Sequence, residues 1–144
     1  MFFSGAIDEM KDKDEILNII SQNEFKSIFY KNKITNVIIF GSLSKNNFSL
    51  ESDIDIAIIA EKKISINEEL AMTTELEELL GRSIDLIDIN DDSVNNIIKI
   101  EALNSKFIVI QDNMLDEAIG YYEKFYKENE EFWYLLDKEV LSFE

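Results

Sequence analysis

Four short apolar runs rich in isoleucine constrain the fold of this chain more than any other feature. They lie at residues 35–40, 53–60, 83–89 and 106–110, and their length and β-branched composition are typical of strands rather than helices. Segments with apolar residues at spacings of three and four precede, follow and in part separate them, as in amphipathic helices. The order of elements therefore predicts an α/β (α+β) domain with a small mixed β-sheet of about four strands flanked by helices.

The ends of the chain are predicted to be helical. Residues 7–30 form an N-terminal helical segment, and residues 113–138 form a long C-terminal helix with Asp112 as its N-cap. Together with a core at residues 35–110, these segments are interpreted as a single domain that spans residues 1–144.

Two further helices are predicted between the strands. The first opens with a capping-box pattern, Ser65 followed by Glu68, and ends at Gly81. Its apolar stripe is predicted to comprise Ile66, Leu70, Leu76 and Leu80. The second is predicted to begin at Asp91 or Asp92, since either can act as the N-cap. Its apolar residues are predicted to be Val94, Ile97 and Ile98.

The chain contains no cysteine and no histidine. The first absence excludes disulfides, thiolate nucleophiles and zinc–thiolate sites. The second removes the usual general base and the usual metal-binding nitrogen. Proton transfer or metal binding must therefore use carboxylates, which favour hard cations such as magnesium.

The formal net charge of −16 at pH 7 argues against direct binding to nucleic acid, because such binding relies on Lys and Arg against phosphates. The charge is compatible with a basic protein partner. No apolar run approaches the roughly 20 residues of a membrane helix, and the first residues lack the pattern of a signal peptide. We therefore expect a cytoplasmic protein without a membrane contact.

Two aspartates, Asp53 and Asp55, lie within the second apolar run. Because side chains alternate across a strand, both point to one face while Ile54 and Ile56 point to the other. Two ionised carboxylates this close repel each other and are costly to bury. A divalent cation with oxygen ligands from both removes the conflict. The alternative is a sheet edge with one solvated face.

The loop before these aspartates favours the cation site. Gly41-Ser42 directly follows the first run, where a glycine lets the backbone and a hydroxyl approach a phosphate closely. Ten mostly polar residues, including Ser44 and Lys45, then lead to Asp53. For Gly-Ser alone, a simple turn is the alternative. The loop and the carboxylates together predict a site for a triphosphate and its metal.

A third carboxylate is predicted from the third run. Asp85 interrupts its apolar pattern, with Ile84 and Leu86 on the opposite face. Asp88 is the competitor, since its parity places it with those two apolar residues. If the two apolar side chains pack against helices, Asp85 faces the site and Asp88 lies near the strand end as a cap or a solvated group.

The spacing of Gly-Ser, ten residues, Asp-x-Asp and a later strand aspartate resembles the DNA-polymerase-β-type nucleotidyltransferase superfamily. The short length resembles its minimal nucleotidyltransferase (MNT) antitoxins, and the segment GRSIDLIDIN resembles the one these proteins carry around their third aspartate. The resemblance covers residues 35–110. It implies ATP as the substrate and two Mg²⁺ ions held by Asp53, Asp55 and Asp85. The nucleotide-binding residues that it implies are Gly41, Ser42, Ser44 and Lys45.

MNT proteins are commonly paired with a HEPN-domain ribonuclease toxin. The resemblance therefore implies an antitoxin that transfers AMP from ATP to a tyrosine of a HEPN toxin. Because the chain has no histidine, we expect Asp85 to accept the proton of the attacking hydroxyl. Two alternatives stay open: a catalytically weak MNT-fold module that neutralises the toxin by complex formation, and a nucleotidyltransferase that acts on a small molecule beside a separate helical subunit. Tyr121 and Tyr134 lie outside the apolar stripe of the C-terminal helix and are candidate partner contacts.

The loop departs from the pattern of many relatives. They carry an arginine and a second glycine soon after Gly-Ser, where this chain has the sequence LSKNN. Lys45 can replace that arginine only as a point charge, without bidentate phosphate contacts. Two other charged residues, Glu51 and Arg82, are interpreted as surface groups, with a phosphate contact as the alternative for Arg82.

Overall fold

The computed structural model describes residues 11–128, and the fold class predicted from the sequence is confirmed. The helices are α1 (Lys13–Ile20), α2 (Asn23–Tyr30), α3 (Ile66–Leu80), α4 (Asn96–Leu103) and α5 (Asn113–Glu128). The strands are β1 (Asn36–Phe40), β2 (Ile54–Ile59), β3 (Ile84–Asp88) and β4 (Phe107–Ile110). Each strand lies within the apolar run predicted for it.

The four strands form one mixed sheet in the order β3-β2-β1-β4. β1 runs antiparallel to both β2 and β4, whereas β2 and β3 run parallel. Parallel neighbours need a crossover connection, and α3 supplies it. As a result, the N-terminal ends of β2 and β3 lie side by side, next to the C-terminal end of β1.

Each face of the sheet carries its own apolar core. On one face, Ile54, Ile56 and Ile58 of β2 pack with residues of α1, α2 and α3. On the other face, Ala57 belongs to a second apolar cluster that includes residues of α4 and α5. Because side chains alternate, Asp55 shares the parity of Ala57 and lies on the α4 side of the sheet.

The N-terminal helical segment predicted at residues 7–30 is divided into α1 and α2; residues 7–10 lie outside the described part of the chain. α1 ends at Ser21, whose hydroxyl donates to the carbonyl of Asn18. Gln22 is extended (ψ 157°) before α2 begins. A serine that hydrogen-bonds to a preceding carbonyl competes with helix continuation. The helix therefore ends here although the sequence has no proline or glycine at this position.

The apolar stripe predicted for α3 is wrong in its first half. Ile66 and Leu70 are 68% and 53% exposed, whereas the core-facing residues are Met72, Leu76 and Leu80. A helix turns about 100° per residue, so Ile66 and Leu70 lie roughly 80° and 120° around the helix from Leu76, whereas Met72 and Leu80 each lie roughly 40° from it. The predicted capping box and glycine terminus of α3 are confirmed.

α4 begins later than predicted. Its N-cap is Asn95, whose side chain accepts a hydrogen bond from the backbone N–H of Ile97 at 2.8 Å. Neither Asp91 nor Asp92 caps this helix. Asp91 instead accepts from a backbone N–H two residues on and forms a tight turn, so Val94 precedes the helix.

The start of α5 is tied to β1 through one side chain. Asp112 caps the helix as predicted, because its Oδ1 accepts from the backbone N–H of Met114 at 2.9 Å. The same carboxylate accepts from the hydroxyl of Thr35 and from the side-chain amide of Asn36. The hydrogen bond from Thr35, aided by that from Asn36, holds the pKa of Asp112 below its usual value. This network fixes α5 over the sheet.

The described part of the C-terminal helix ends at Glu128. The rest of the predicted span of residues 113–138, including Tyr134, lies outside the described residues. Tyr121 is 66% exposed, as predicted for a residue outside the apolar stripe. Across residues 11–128, none of the helices combines the length and apolar composition needed to cross a membrane.

Candidate active site

The turn that follows β1 brings its backbone against β2. Gly41 adopts a left-handed conformation (φ 70°) and begins a 3₁₀ turn, Gly41–Ser44, in which Leu43 is buried in the core. A Cβ atom added to Gly41 would lie 2.0 Å from Oδ2 of Asp55. Glycine is therefore required here both for its backbone conformation and for its lack of a side chain.

Asp55 and Asp85 are register neighbours on the parallel strands β2 and β3, and hydrogen bonding between their side chains contributes to a raised pKa of Asp55. Asp55 is half-buried and Asp85 is exposed. Burial, followed by the negative charges of Asp85 and Asp53, raises the pKa of Asp55 to about 7. Two carboxyl groups this close hold a proton between them near neutral pH unless a cation compensates their charge.

Asp53 lies immediately before β2 and is exposed. Its charge contributes to the raised pKa of Asp55, so all three predicted carboxylates lie at one end of the sheet. Among residues 11–128, no three acidic side chains are already arranged as ligands around one point. The donor set fits Mg²⁺, because carboxylate oxygens are its preferred protein ligands and the crowded negative charge favours a cation.

Asp88 lies at the other end of β3, where its side chain stabilises the adjoining loops. It is 3% exposed. Its Oδ2 accepts from the backbone N–H of Ile64 and its Oδ1 from that of Asn90, both at 2.9 Å. These bonds close the loops beyond the C-terminal ends of β2 and β3. Asp85, rather than Asp88, is the carboxylate that the fold brings to Asp55.

The residues predicted to contact the nucleotide lie on the turn that Gly41 begins. The hydroxyl of Ser44 donates to the carbonyl of Gly41 at 2.7 Å and braces the turn. Ser42 is half-buried, and its carbonyl accepts from the backbone N–H of Lys45 at 3.1 Å. The ammonium of Lys45 lies 4.0 Å from Oε1 of Glu101 on α4. All of these residues therefore lie close to the glycine that contacts Asp55.

Two residues near the site were not predicted to belong to it. Glu101 approaches Lys45, and its charge adds to the raised pKa of Asp55. No local sequence signal points to Glu101, because a helical pattern does not say where the helix crosses the sheet.

The interpretation of Arg82 as a surface group is wrong, since this side chain is 1% exposed. Its guanidinium donates to backbone carbonyls of the loop before Asp53.

A protein-family model matches the central part of this chain. Residues 23–114 match the model described as Polymerase beta, Nucleotidyltransferase. The chain belongs to this nucleotidyltransferase family. The matched residues contain the whole sheet, the turn at Gly41 and all three carboxylates, so the candidate site falls inside the family domain. The superfamily resemblance inferred from the sequence is confirmed.

Named relatives and solved structures resemble this nucleotidyltransferase in sequence and in fold. Two proteins of Methanocaldococcus jannaschii, named as candidate protein adenylyltransferases, are 34% and 31% identical to it. The first matches over 60% of this chain and 86% of its own length, and the second over 58% and 87%. Among solved structures, a chain of a toxin–antitoxin with AMP-PNP has a TM-score of 0.66 at 19% identity, and covers 82% of this chain and 97% of its own.

A second solved structure, the tri-AMPylated HEPN toxin of Shewanella oneidensis in complex with its MNT antitoxin, matches with a TM-score of 0.63 at 19% identity. The match covers 87% of this chain and 98% of that chain. At this level of identity the likeness establishes the fold. The nucleotidyltransferase has the fold of chains from MNT–HEPN complexes.

Proposed function

We propose that this nucleotidyltransferase is the antitoxin of a HEPN toxin–antitoxin pair and transfers AMP from ATP to a tyrosine of its toxin. The observation that carries the proposal is the meeting of Asp55 and Asp85 against Gly41, where β1 ends and β2 and β3 begin. The names of the relatives support the reaction. The AMPylated HEPN toxin in one similar structure and the ATP analogue in another support the acceptor and the substrate.

The proposed reaction is an in-line displacement at the α-phosphorus of ATP. The tyrosine oxygen forms a bond to that phosphorus, the bond to the bridging oxygen breaks, and pyrophosphate leaves. Asp85 accepts the hydroxyl proton, because the chain has no histidine for this role. Asp53, Asp55 and Asp85 would hold two Mg²⁺ ions, whose chemistry is to neutralise the triphosphate and to lower the pKa of the attacking hydroxyl.

The turn after β1 supplies the proposed nucleotide contacts. Ser42 and the backbone of Gly41 would hold the β- and γ-phosphates, as backbone N–H groups in tight glycine turns do. Lys45 supplies a point charge. To contact a phosphate, its ammonium would leave the carboxylate of Glu101, which lies 4.0 Å away. Ser44 has its hydroxyl engaged with the carbonyl of Gly41, so its part is to maintain the turn.

The test is a transfer assay with two labels. The chain, Mg²⁺ and a HEPN protein encoded beside it are incubated with ATP labelled either at the α- or at the γ-phosphate. We expect label on a toxin tyrosine from α-labelled ATP and none from γ-labelled ATP, because only AMP is transferred. Replacing the labelled tyrosine by phenylalanine serves as the control. Label from the γ-phosphate would instead identify a kinase and reject the proposal.

A second candidate function is neutralisation of a toxin by complex formation alone. The net charge of −16 favours it, because an acidic surface complements a basic partner. The same assay separates the two functions. Toxin activity that falls on mixing without ATP, with no label transferred when ATP is present, would support the binding module and reject the transferase.

Asp85→Asn and Asp88→Asn form a matched pair, since both remove one charge from β3. We expect Asp85→Asn to abolish AMP transfer and to leave the free energy of unfolding unchanged or slightly raised, because Asp85 is exposed and its charge disfavours the ionised form of Asp55. Asp88→Asn should retain transfer but lower that free energy by about 1–3 kcal/mol, because one of its two backbone N–H partners would face an amide NH₂. Transfer assays and urea unfolding measure both. The reverse pattern would exchange the two roles.

A further inference from the structure

Arg82 is the one arginine in a chain that has thirteen lysines, and it is 1% exposed. Its Nη2 donates to the carbonyls of Ser49 and Ser52, at 2.5 and 2.6 Å, and its Nη1 donates to the carbonyl of Lys11 at 3.1 Å. The guanidinium also lies over the ring of Phe48, 4.4 Å from its centroid. A planar fork with several N–H donors can make all these contacts at once, and a lysine ammonium cannot.

These contacts hold Asp53 from both sides. Ser52, the residue before it, accepts from Arg82 through its carbonyl. The residue after it donates its backbone N–H to the carbonyl of Ser83 at 2.9 Å. Two consecutive residues, Arg82 and Ser83, which immediately precede β3, therefore fix the chain on either side of Asp53, and β3 carries Asp85. The relative position of these two carboxylates depends on this junction.

We propose that Arg82 is a positioning residue that fixes Asp53 and the preceding loop, residues 45–52, against the strand that carries Asp85. It does not contact the phosphates of the nucleotide. Three backbone carbonyls accept hydrogen bonds from its two terminal nitrogens, the ring of Phe48 lies against one side of the guanidinium, and the side chain is only 1% exposed. The activity readout below rests on the proposed transferase function, whereas the hydrogen-exchange readout does not.

The first measurement is amide hydrogen exchange on the metal-free, nucleotide-free protein. In Arg82→Lys we expect the amides of Ser52 and Ile54, which donate to the carbonyls of Ser49 and Ser83, to exchange at least about tenfold faster, while those of β1 keep their rates. Phe48→Leu retains the guanidinium hydrogen bonds and removes only the ring, so we expect a smaller change in the same direction. Lys13→Met is the matched control, since Lys13 also donates to a loop carbonyl, that of Lys45, but does so from the surface.

The exchange data decide between local positioning and a general role in folding. Faster exchange confined to residues 45–54 supports the proposal. Equal acceleration in the loop and in β1 would make Arg82 a contributor to overall stability only, and would overturn it. Unchanged loop exchange in both Arg82→Lys and Phe48→Leu would overturn it as well.

The second measurement compares kcat with the KM for ATP in the transfer assay. Positioning predicts that Arg82→Lys lowers kcat about 10- to 100-fold and raises the Mg²⁺ concentration needed for half-maximal rate, with a KM for ATP within about threefold of the parent. A raised KM at unchanged kcat would show a phosphate contact and reject the proposal. Should the parent chain transfer no AMP, the proposed function fails, and the exchange data alone still decide the role of Arg82.

Discussion

Asp55→Asn is expected to abolish AMP transfer and, at the same time, to make the protein more stable at alkaline pH. Transfer should fall at least about 10³-fold, because the substitution removes a ligand from the proposed metal site and replaces an anionic oxygen with an amide. Stability should rise because Asp55 is half-buried beside Asp85 and close to Asp53, and its ionised form is disfavoured in the folded state.

The sign of the pH dependence follows from the pKa of Asp55. It is about 7 in the folded protein against an ordinary value of 3.8, so the folded state binds this proton more tightly than the unfolded chain. The resulting stability is fully present below pH 4 and is lost as the pH rises through 7. Asparagine does not titrate, so Asp55→Asn should remove roughly 1–3 kcal/mol of the decrease between pH 5 and pH 8.

Urea unfolding at pH 5 and pH 8, in the presence of EDTA, measures this difference for the parent and for Asp55→Asn. Asp92→Asn is the control, because it removes the same charge from an exposed position. Mg²⁺ at pH 8 should then stabilise the parent and not Asp55→Asn, since a cation stabilises only the state that binds it. Equal transfer by both proteins, or equal stabilisation of both by Mg²⁺, would reject Asp55 as a ligand.

Much of the sheet could be predicted because its signals are local. Each strand is a short β-branched run, and the period-two parity of side chains is enough to separate Asp55 from Ile54 and Ile56. The same parity assigns Asp85 and Asp88 to opposite faces of β3. The structure shows why this matters, since Asp85 is in register with Asp55 while Asp88 bonds to backbone N–H groups at the far end.

The remaining features depend on contacts between distant segments, which no local pattern contains. Glu101 comes near Asp55 only because α4 crosses the sheet at that place. Arg82 looks like a surface charge beside a glycine, and its burial becomes visible only once the loop at residues 45–52 folds over it. The predicted stripe of α3 is wrong for another reason: several apolar residues lie on its exposed side, including Ile66 and Leu70.

Gly41→Ala is expected to lower both stability and transfer more than any other glycine substitution in the described chain. Two costs combine at this position. An alanine with φ near 70° costs about 1–2 kcal/mol in backbone strain. Its Cβ would also lie 2.0 Å from Oδ2 of Asp55, so either the turn or the carboxylate must move. We expect a loss of about 2–4 kcal/mol in the free energy of unfolding and a fall in transfer of at least about 100-fold.

Two other glycines separate these costs. Gly81 has a similar φ of 65°, but the nearest atom to its added Cβ is 3.5 Å away, so Gly81→Ala measures strain alone. Gly120 lies within α5 with no atom inside 4 Å of an added Cβ, so Gly120→Ala should stabilise the helix by about 0.5–1 kcal/mol. In an Asp55→Ala background the clash is absent, and Gly41→Ala should then cost no more than Gly81→Ala. If Gly41→Ala and Gly81→Ala have equal effects in the parent, the contact between the turn and Asp55 does not hold the site together.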